Sequence, residues 1–308
     1  MRFIRANLGL LGVVLALIGG FGYYAYTVIQ NAPRDPDMRS GTIAYQSNES
    51  GLMSVYVWDL STSKSRLLTN NTLPLFDPTW SANGLVVISE VDNNGDFDLY
   101  RTDVVNTQGY TLTSISSWET EPAFSPYGQQ VAFVSDRDGI ETLYTMDSSG
   151  ANVTALAVGE GRNTAPAWSP DGGALVFVSN RNGTNDLFRY DFATTQVTQL
   201  TSDTADDLHP NWSPDGTQIV FASNRDATQL LYTIHTRTGA LEQLTEGIGG
   251  DAHPAWSPDG SRIVFSSDRN GNYDLYLLNY RTKELLALTN SPNQETRPSW
   301  NPMSYPAP

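Results

Sequence analysis

The stretch Pro254-Ala-Trp256-Ser-Pro-Asp-Gly260 decides the fold, read together with Ile263-Val-Phe-Ser-Ser267, Asp268-Arg-Asn-Gly271, Asp274-Leu-Tyr-Leu-Leu278 and Leu285-Leu-Ala-Leu-Thr289. It holds four short apolar runs, each bounded by turn residues, with no helical period. Ser-Pro-Asp-Gly is a tight turn with a mechanism: proline fixes φ, aspartate caps the turn, and glycine supplies free φ. The arrangement recurs. An aromatic anchor stands at Trp80, Phe124, Trp168, Trp212, Trp256 and Trp300, each 44 residues after the last, without insertion or deletion. A proline lies two residues before each anchor, from Pro78 to Pro298, and Ser-Pro-Asp-Gly follows directly at Ser169, Ser213 and Ser257, with weaker copies at Ser125 and Ser81.

Four strands in about 44 residues make one propeller blade. The ends fix the blade number. Ile43, in phase with Ile263, opens a copy that has strands two to four (43–47, 55–59, 66–69) but no Pro-x-Trp strand. The last copy is only a first strand, Pro298-Ser-Trp300. Together they make one blade. The sequence therefore predicts an all-β chain: a six-bladed β-propeller of four-stranded blades at 43–302, closed by a C-terminal strand joining the N-terminal blade. Residues 303–308 form a tail.

The N-terminal residues 1–30 read as a membrane anchor. Leu8 to Ile29 are 22 positions without a charge, about 33 Å of helix at ~1.5 Å per residue, enough to cross a hydrocarbon core. Arg2 and Arg5 precede the stretch and Tyr23, Tyr24 and Tyr26 close it. This predicts one transmembrane helix with a cytoplasmic N-terminus and an extracytoplasmic propeller, periplasmic or cell-surface. The alternative is a cleaved signal peptide, whose apolar core is about 7–15 residues. Here the run is longer, and the small-residue site at Ala32 is followed by Pro33, so an uncleaved signal-anchor is expected. Residues 31–42, with Pro33 and Pro36, are a linker.

Charge narrows the function. The chain has 18 Lys+Arg against 33 Asp+Glu, a net −15, and residues 1–42 carry four arginines and two aspartates, leaving −17 on the remainder. Such acidity argues against nucleic acid. Cysteine is absent, which removes disulfides, thiolate metal sites and a cysteine nucleophile. Lys64 and Lys283 are the only lysines, so a lysine-based phosphate site is not expected.

Trp-Ser-Pro-Asp-Gly, then Ser-Asp/Asn-Arg-Asn-Gly-x-x-Asp-Leu-Tyr, then Leu-Thr, resembles the TolB-like (PD40, WD40-like) β-propeller repeat, over residues 43–302. The resemblance implies a six-bladed propeller that binds a protein partner at its central mouth. Two departures are expected: an anchor helix where TolB proteins carry a separate N-terminal α/β domain, and, in the eight residues after Trp300, no counterpart of the hydrolase domain that oligopeptidases append to a similar propeller. No Gly-x-Ser-x-Gly elbow occurs.

Some columns of the repeat are uniform. Tyr56, Tyr100, Tyr144, Phe188, Tyr232 and Tyr276, and Leu68 through Leu288, read as inter-blade packing. Asn48, Asp92, Asp136, Asn180, Asn224 and Asp268 are always Asx, read as local caps of the loop between strands two and three. Arg137, Arg181, Arg225 and Arg269 follow in four blades and read as partners of nearby carboxylates.

Function is expected where copies differ. The residue before each proline reads Asp77, Glu121, Ala165, His209, His253 and Arg297, and two residues earlier stand Leu75, Glu119, Asn163, Asp207, Asp251 and Glu295. These are expected to ring one mouth of the channel as a partner-contact surface: Asp77, Glu119, Glu121, Asp207, His209, Asp251, His253, Glu295 and Arg297. Its acidity predicts a partner rich in Lys/Arg. Asp207/His209 and Asp251/His253 form the same Asp-x-His-Pro in adjacent copies, and two imidazoles with two carboxylates are a candidate transition-metal set. Some TolB-like lyases of pectic oligomers use a His-containing metal site in this region, which keeps a metal-dependent glycan lyase or hydrolase, or glycan binding, as the alternative function. His235 falls at the far end of a third strand. Asp92, Asn94, Asp96 and Asp98, alternating about Gly95, are a candidate calcium loop, with a solvated hairpin as the plainer reading. The 44-residue repeat leaves no insertion to carry an active site. The expectation is a non-enzymatic, membrane-anchored scaffold or accessory subunit of a membrane complex, with no cofactor.

Overall fold

The computed structural model describes residues 41–303 except 70, 71, 93, 94 and 248. Its strands run, blade by blade, as β1 (Thr42–Ser47), β2 (Ser54–Asp59), β3 (Lys64–Leu67); β4 (Leu75–Trp80), β5 (Val86–Asp92), β6 (Phe97–Asp103), β7 (Gly109–Thr111); and β8 (Glu119–Phe124), β9 (Gln130–Ser135), β10 (Thr142–Asp147), β11 (Thr154–Ala155). They continue as β12 (Asn163–Trp168), β13 (Ala174–Ser179), β14 (Asp186–Asp191), β15 (Val197–Gln199); β16 (Asp207–Trp212), β17 (Gln218–Ser223), β18 (Leu230–His235), β19 (Leu241–Gln243); and β20 (Asp251–Trp256), β21 (Arg262–Ser267), β22 (Asp274–Asn279), β23 (Leu285–Ala287), ending on β24 (Glu295–Trp300). Six four-stranded antiparallel sheets result, and the sheet β24-β1-β2-β3 mixes the two ends of the chain as expected. These are blades 1 to 6 in chain order, with β24 the inner strand of blade 1. No helix among the described residues is long and apolar enough to cross a membrane. The expected anchor at 8–29, most of the 31–42 linker and residues 304–308 lie outside them.

The core sits between blades and within them. Most of the buried side chains lie on strands two and three of the blades: Ile43, Ala44, Val131, Phe133, Phe177, Phe221 and Phe265 are fully inaccessible. The aromatic column on strand three faces an aromatic across the ladder in five blades, as in Phe133–Tyr144 at 5.8 Å and Phe177–Phe188 at 5.9 Å between ring centroids. The anchor tryptophans staple one blade to the one before. Indole N–H groups of Trp80, Trp168, Trp212 and Trp300 donate to the carbonyls of Ser299, Ala123, Ala167 and Ala255, at 3.0, 3.1, 3.2 and 3.1 Å. Trp256 is the exception: its buried Nε1 has no partner, and the Asn211 side chain accepts the Trp256 backbone N–H at 2.9 Å.

The Asx column works differently from its sequence reading. In five blades its side-chain oxygen accepts a backbone N–H from the loop entering the inner strand of the same blade: Asn48 from Gln294, Asp136 from Trp118, Asn180 from Arg162, Asn224 from Asp206 and Asp268 from Gly250, at 2.6–2.9 Å. It ties two loops at one end of the blade, rather than capping its own. Blade 2 explains the rule. Pro74 stands where the donor should be and has no N–H, so Asp92 turns back to accept the N–H of Gly95 at 2.7 Å.

Candidate functional site

Each inner strand breaks its ladder at the residue before the proline. Register shifts fall between Phe76 and Thr79, Thr120 and Ala123, Thr164 and Ala167, Leu208 and Asn211, and Ala252 and Ala255. The residue before proline is excluded from the right-handed helical region. Here it takes the left-handed one, with φ of 49° at Asp77, 51° at Glu121, 50° at Ala165, 53° at His209, 52° at His253 and 52° at Arg297. Holding a residue other than glycine there costs about 1–2 kcal/mol each, and six converging strands enforce it. The bulge re-aims the side chain, so all six residues line one central cavity of about 300 Å³.

The same bulge corrects the expectation for the carboxylates two residues upstream. In an unbroken strand, residues two apart share a face. Here they do not. Glu119, Asp207 and Asp251 are fully inaccessible and Glu295 is 3% exposed. Glu119 binds Arg137 at 3.1 Å, Asp207 binds Arg225 at 2.9 Å and Asp251 binds Arg269 at 2.8 Å. Asn163 accepts from Arg181 at 2.8 Å in the same place. Each guanidinium also lies over the blade's strand-three aromatic, for example 4.2 Å from the Phe188 centroid. These residues hold their blades together and are not a contact rim. Glu295 has no arginine, since Glu49 stands at that point of its repeat. Burial, reinforced by Asp274, lifts its carboxyl to about 7 against the Ser291 hydroxyl that donates to it.

The metal sets read from sequence do not assemble either. His209 and His253 do meet, with ring centroids 3.9 Å apart, but Asp207 and Asp251 point away to their arginines. Among the described residues, no group of three or more His, Asp or Glu side chains is placed to hold a metal ion. Asp98 leaves the candidate calcium loop: it is buried and accepts the Thr113 hydroxyl at 3.0 Å. Asn94 lies outside the described residues. His235 caps a turn on the opposite side, accepting the Arg237 N–H at 3.2 Å through Nδ1.

What remains is a ring with two chemically distinct halves. Blades 1 to 3 supply Arg297, Asp77 and Glu121. Arg297 Nη1 bonds Asp77 Oδ2 at 2.5 Å. Sequence reasoning missed a fourth member, Glu90 on β5, whose carboxylate accepts the Glu121 N–H at 2.6 Å. Its column, Gln46, Glu90, Val134, Val178, Ala222 and Ser266, varies as sharply as the ring itself. That variation was the available signal. Gln46 and Ser266 accept ring N–H groups in the same way, from Asp77 and Arg297. Burial, then Asp77, push Glu90 up to about 8, while Arg297 pulls it down. Glu121 is raised for the same first reason, burial, again opposed by Arg297. Burial works against the charge of Arg297, yet Asp77, Glu90 and Glu121 outweigh it and hold the guanidinium above its ordinary value. Blades 4 to 6 supply Ala165, His209 and His253. Burial, then Arg297, holds His209 down to about 3. His253 is depressed by burial, then by His209 and Arg297. Both imidazoles are neutral at physiological pH, and their buried Nδ1 atoms have no hydrogen-bond partner. One side of the channel is thus charged and the other neutral.

A closed six-bladed propeller with a proline-bulged inner ring defines the class. The TolB beta propeller domain family (PD40) matches residues 35–162 and 154–251, and the chain belongs to that family. TolB from Acinetobacter baumannii has the same fold, with a TM-score of 0.78 at 21% identity, covering 86% of this chain and 67% of that one. A putative TolB from Agrobacterium tumefaciens gives 0.69 at 20% identity, covering 82% and 89%. An oligogalacturonate lyase in complex with manganese gives 0.56 at 15% identity, covering 80% and 73%. At these identities the likeness is one of fold. No curated protein matches the chain.

Proposed function

We propose that this protein is a membrane-anchored, extracytoplasmic propeller that binds another protein at its channel mouth, as a non-enzymatic scaffold or as an accessory subunit of a membrane complex. The observation that carries the reading is the ring. Six bulges of one geometry present six side chains into one cavity, and chemical variety among the copies concentrates there while repeat length stays constant. The tether is residues 8–29. The partner's contacting patch is basic, since the Asp77 and Glu121 carboxyl groups face a single guanidinium and the chain carries −15 overall.

Extraction of the full chain in mild detergent, native purification and mass spectrometry test this. A stoichiometric protein partner is expected, released as ionic strength rises. Glu121→Gln with Asp77→Asn is expected to weaken the complex about tenfold, ~1.4 kcal/mol. A protein that runs alone in every condition, or a complex indifferent to salt, counts against the reading.

The paired histidines and the fold shared with a manganese-bound lyase favour a second reading, a metal-dependent glycan lyase or hydrolase, or a glycan binder. It requires stoichiometric metal that disappears in His209→Ala and His253→Ala. The arginine-bound Asp207 and Asp251 do not supply the carboxylate ligands it needs.

A further inference from the structure

An apolar crescent lies on the face where the inner strands begin, confined to blades 1 to 3. Leu52, Leu73, Ile115, Trp118 and Ile140 are between 37% and 48% exposed. Phe97 joins them, its ring 6.0 Å from Trp118. All belong to loops or strand ends on the side where the inner strands begin: the hairpins after β1, β5 and β9, and the loops entering β4 and β8. Hydrogen bonds tie these loops to one another. The Met53 carbonyl accepts the Leu75 N–H at 2.8 Å, Trp118 Nε1 donates to the Gly95 carbonyl at 3.0 Å, and the Trp118 N–H reaches Asp136 in the hairpin that carries Ile140.

The repeat supplies its own control. Forty-four-residue counting places Thr184, Thr228 and Asn272 where blades 1 and 3 have Leu52 and Ile140. It places Arg162, Asp206, Gly250 and Gln294 where Trp118 stands, and Gly159, Asp203, Gly247 and Ser291 where Ile115 stands. The fold needs only polar or small residues there, so architecture does not explain the exposed apolar side chains of blades 1 to 3. Clustered exposed apolar surface marks an interaction site.

Charge selects the occupant. The repeat arginine of the first two hairpins is replaced by Glu49 and Asn93, and Asp96 precedes Phe97 while Asp92 pairs with it across the ladder. The arginine of the third, Arg137, is tied to Glu119. The crescent is therefore apolar with an acidic border. The chain enters the propeller at Gly41, at the opposite end of β1 from the Leu52 hairpin, so the tethered segment starts on the other face. We infer that the crescent docks a basic amphipathic segment of a partner protein, with aromatic or aliphatic side chains on blades 1 to 3 and Lys/Arg against the acidic border. The inference rests on the protein-binding reading above and specifies its partner.

The test is selection of a displayed library of random 12-residue peptides on the full chain in detergent, with counter-selection on the exposed double variant Leu73→Ser/Ile115→Asn. Enriched peptides are expected to combine Trp, Phe or Leu with Lys or Arg. They should bind the double variant at least tenfold more weakly, with unchanged melting temperature. Absence of any peptide that distinguishes the two proteins, or enrichment of acidic peptides, overturns the inference. Peptides that lose affinity with Glu121→Gln but not with the crescent variant overturn it while leaving the channel-binding reading intact. A dimer in sedimentation, or flotation with anionic vesicles, that the double variant abolishes identifies a second copy or a lipid surface instead and likewise overturns it.

Discussion

At the residue scale, one strained conformation does two jobs. A left-handed residue before proline ends the inner ladder and also turns one side chain per blade into the channel. Identity at that position is free because the backbone, not the side chain, makes the bulge: Ala165 and Arg297 adopt it equally, at φ 50° and 52°. Beside it, the buried acid is not free. Where an arginine pairs with it, burial is compensated; truncating either partner would leave an uncompensated charge. Glu295 lacks that arginine, and its carboxyl is lifted to about 7. A folded-state value above the unfolded one means the native protein holds the proton more tightly. Stability from this group is then fully present below the unfolded value of 4.5 and is lost as pH rises through about 7. Glu295→Gln removes the titration and keeps the shape. Relative to wild type, the variant should be about 1–3 kcal/mol more stable at pH 8, with the difference vanishing toward pH 4. Denaturant melts of both proteins across that range check it. A pH-independent difference would show that Glu295 stays ionised through a partner.

At the element scale, the strands were legible and their seams were not. The periodic apolar runs, the Ser-Pro-Asp-Gly turns and the aromatic anchors define each strand from local sequence alone. The bulge does not appear in a hydrophobic pattern, since proline reads equally well as a strand start. Missing it placed Glu119, Asp207, Asp251 and Glu295 on the wrong side of their strands. The Asx tie was missed for a related reason: its donor lies 18 residues upstream in four blades and 246 residues downstream for Asn48, through closure, and local turn chemistry could not point there. The tryptophan staples make a contrast that separates hydrogen bonding from packing. Trp212→Phe leaves the Ala167 carbonyl without its indole donor, 3.2 Å away in wild type. Trp256→Phe removes an N–H that has no partner. Both variants lose similar ring volume, and Phe124 shows that a blade accepts phenylalanine there. Trp212→Phe should therefore cost about 1 kcal/mol more than Trp256→Phe, read from urea unfolding midpoints at equal slope. Equal costs would mean the indole bonds contribute nothing beyond packing.

At the scale of the whole molecule, closure is concentrated in β24. Blade number and closure by the two chain ends followed from counting copies; the division of the ring into charged and neutral halves, and the role of Glu90, required knowing which strands converge. β24 pairs along β1 from Ile43–Trp300 to Ser47–Glu295. It packs on blade 6 through Trp300, 7% exposed, whose indole bonds Ala255. It receives the Trp80 staple of blade 2 at Ser299, and it reaches across the channel mouth from Arg297 to Asp77. One strand thus contacts three blades. Deleting residues 295–308 would expose the β1 edge, whose residues Ile43 to Ser47 are buried, and uncover the blade 6 face that holds Trp300. Loss of a buried tryptophan alone costs about 3–5 kcal/mol. Adding the ladder and staples makes the loss comparable with a domain's whole stability of about 5–15 kcal/mol. The truncated protein should melt more than about 10 °C lower, or aggregate through the open β1 edge. A synthetic peptide of residues 295–303 supplied in trans should restore most of that loss, because the receiving edge and pocket remain. A truncated protein with unchanged melting temperature would show that the six blades hold together without the strand that joins first to last.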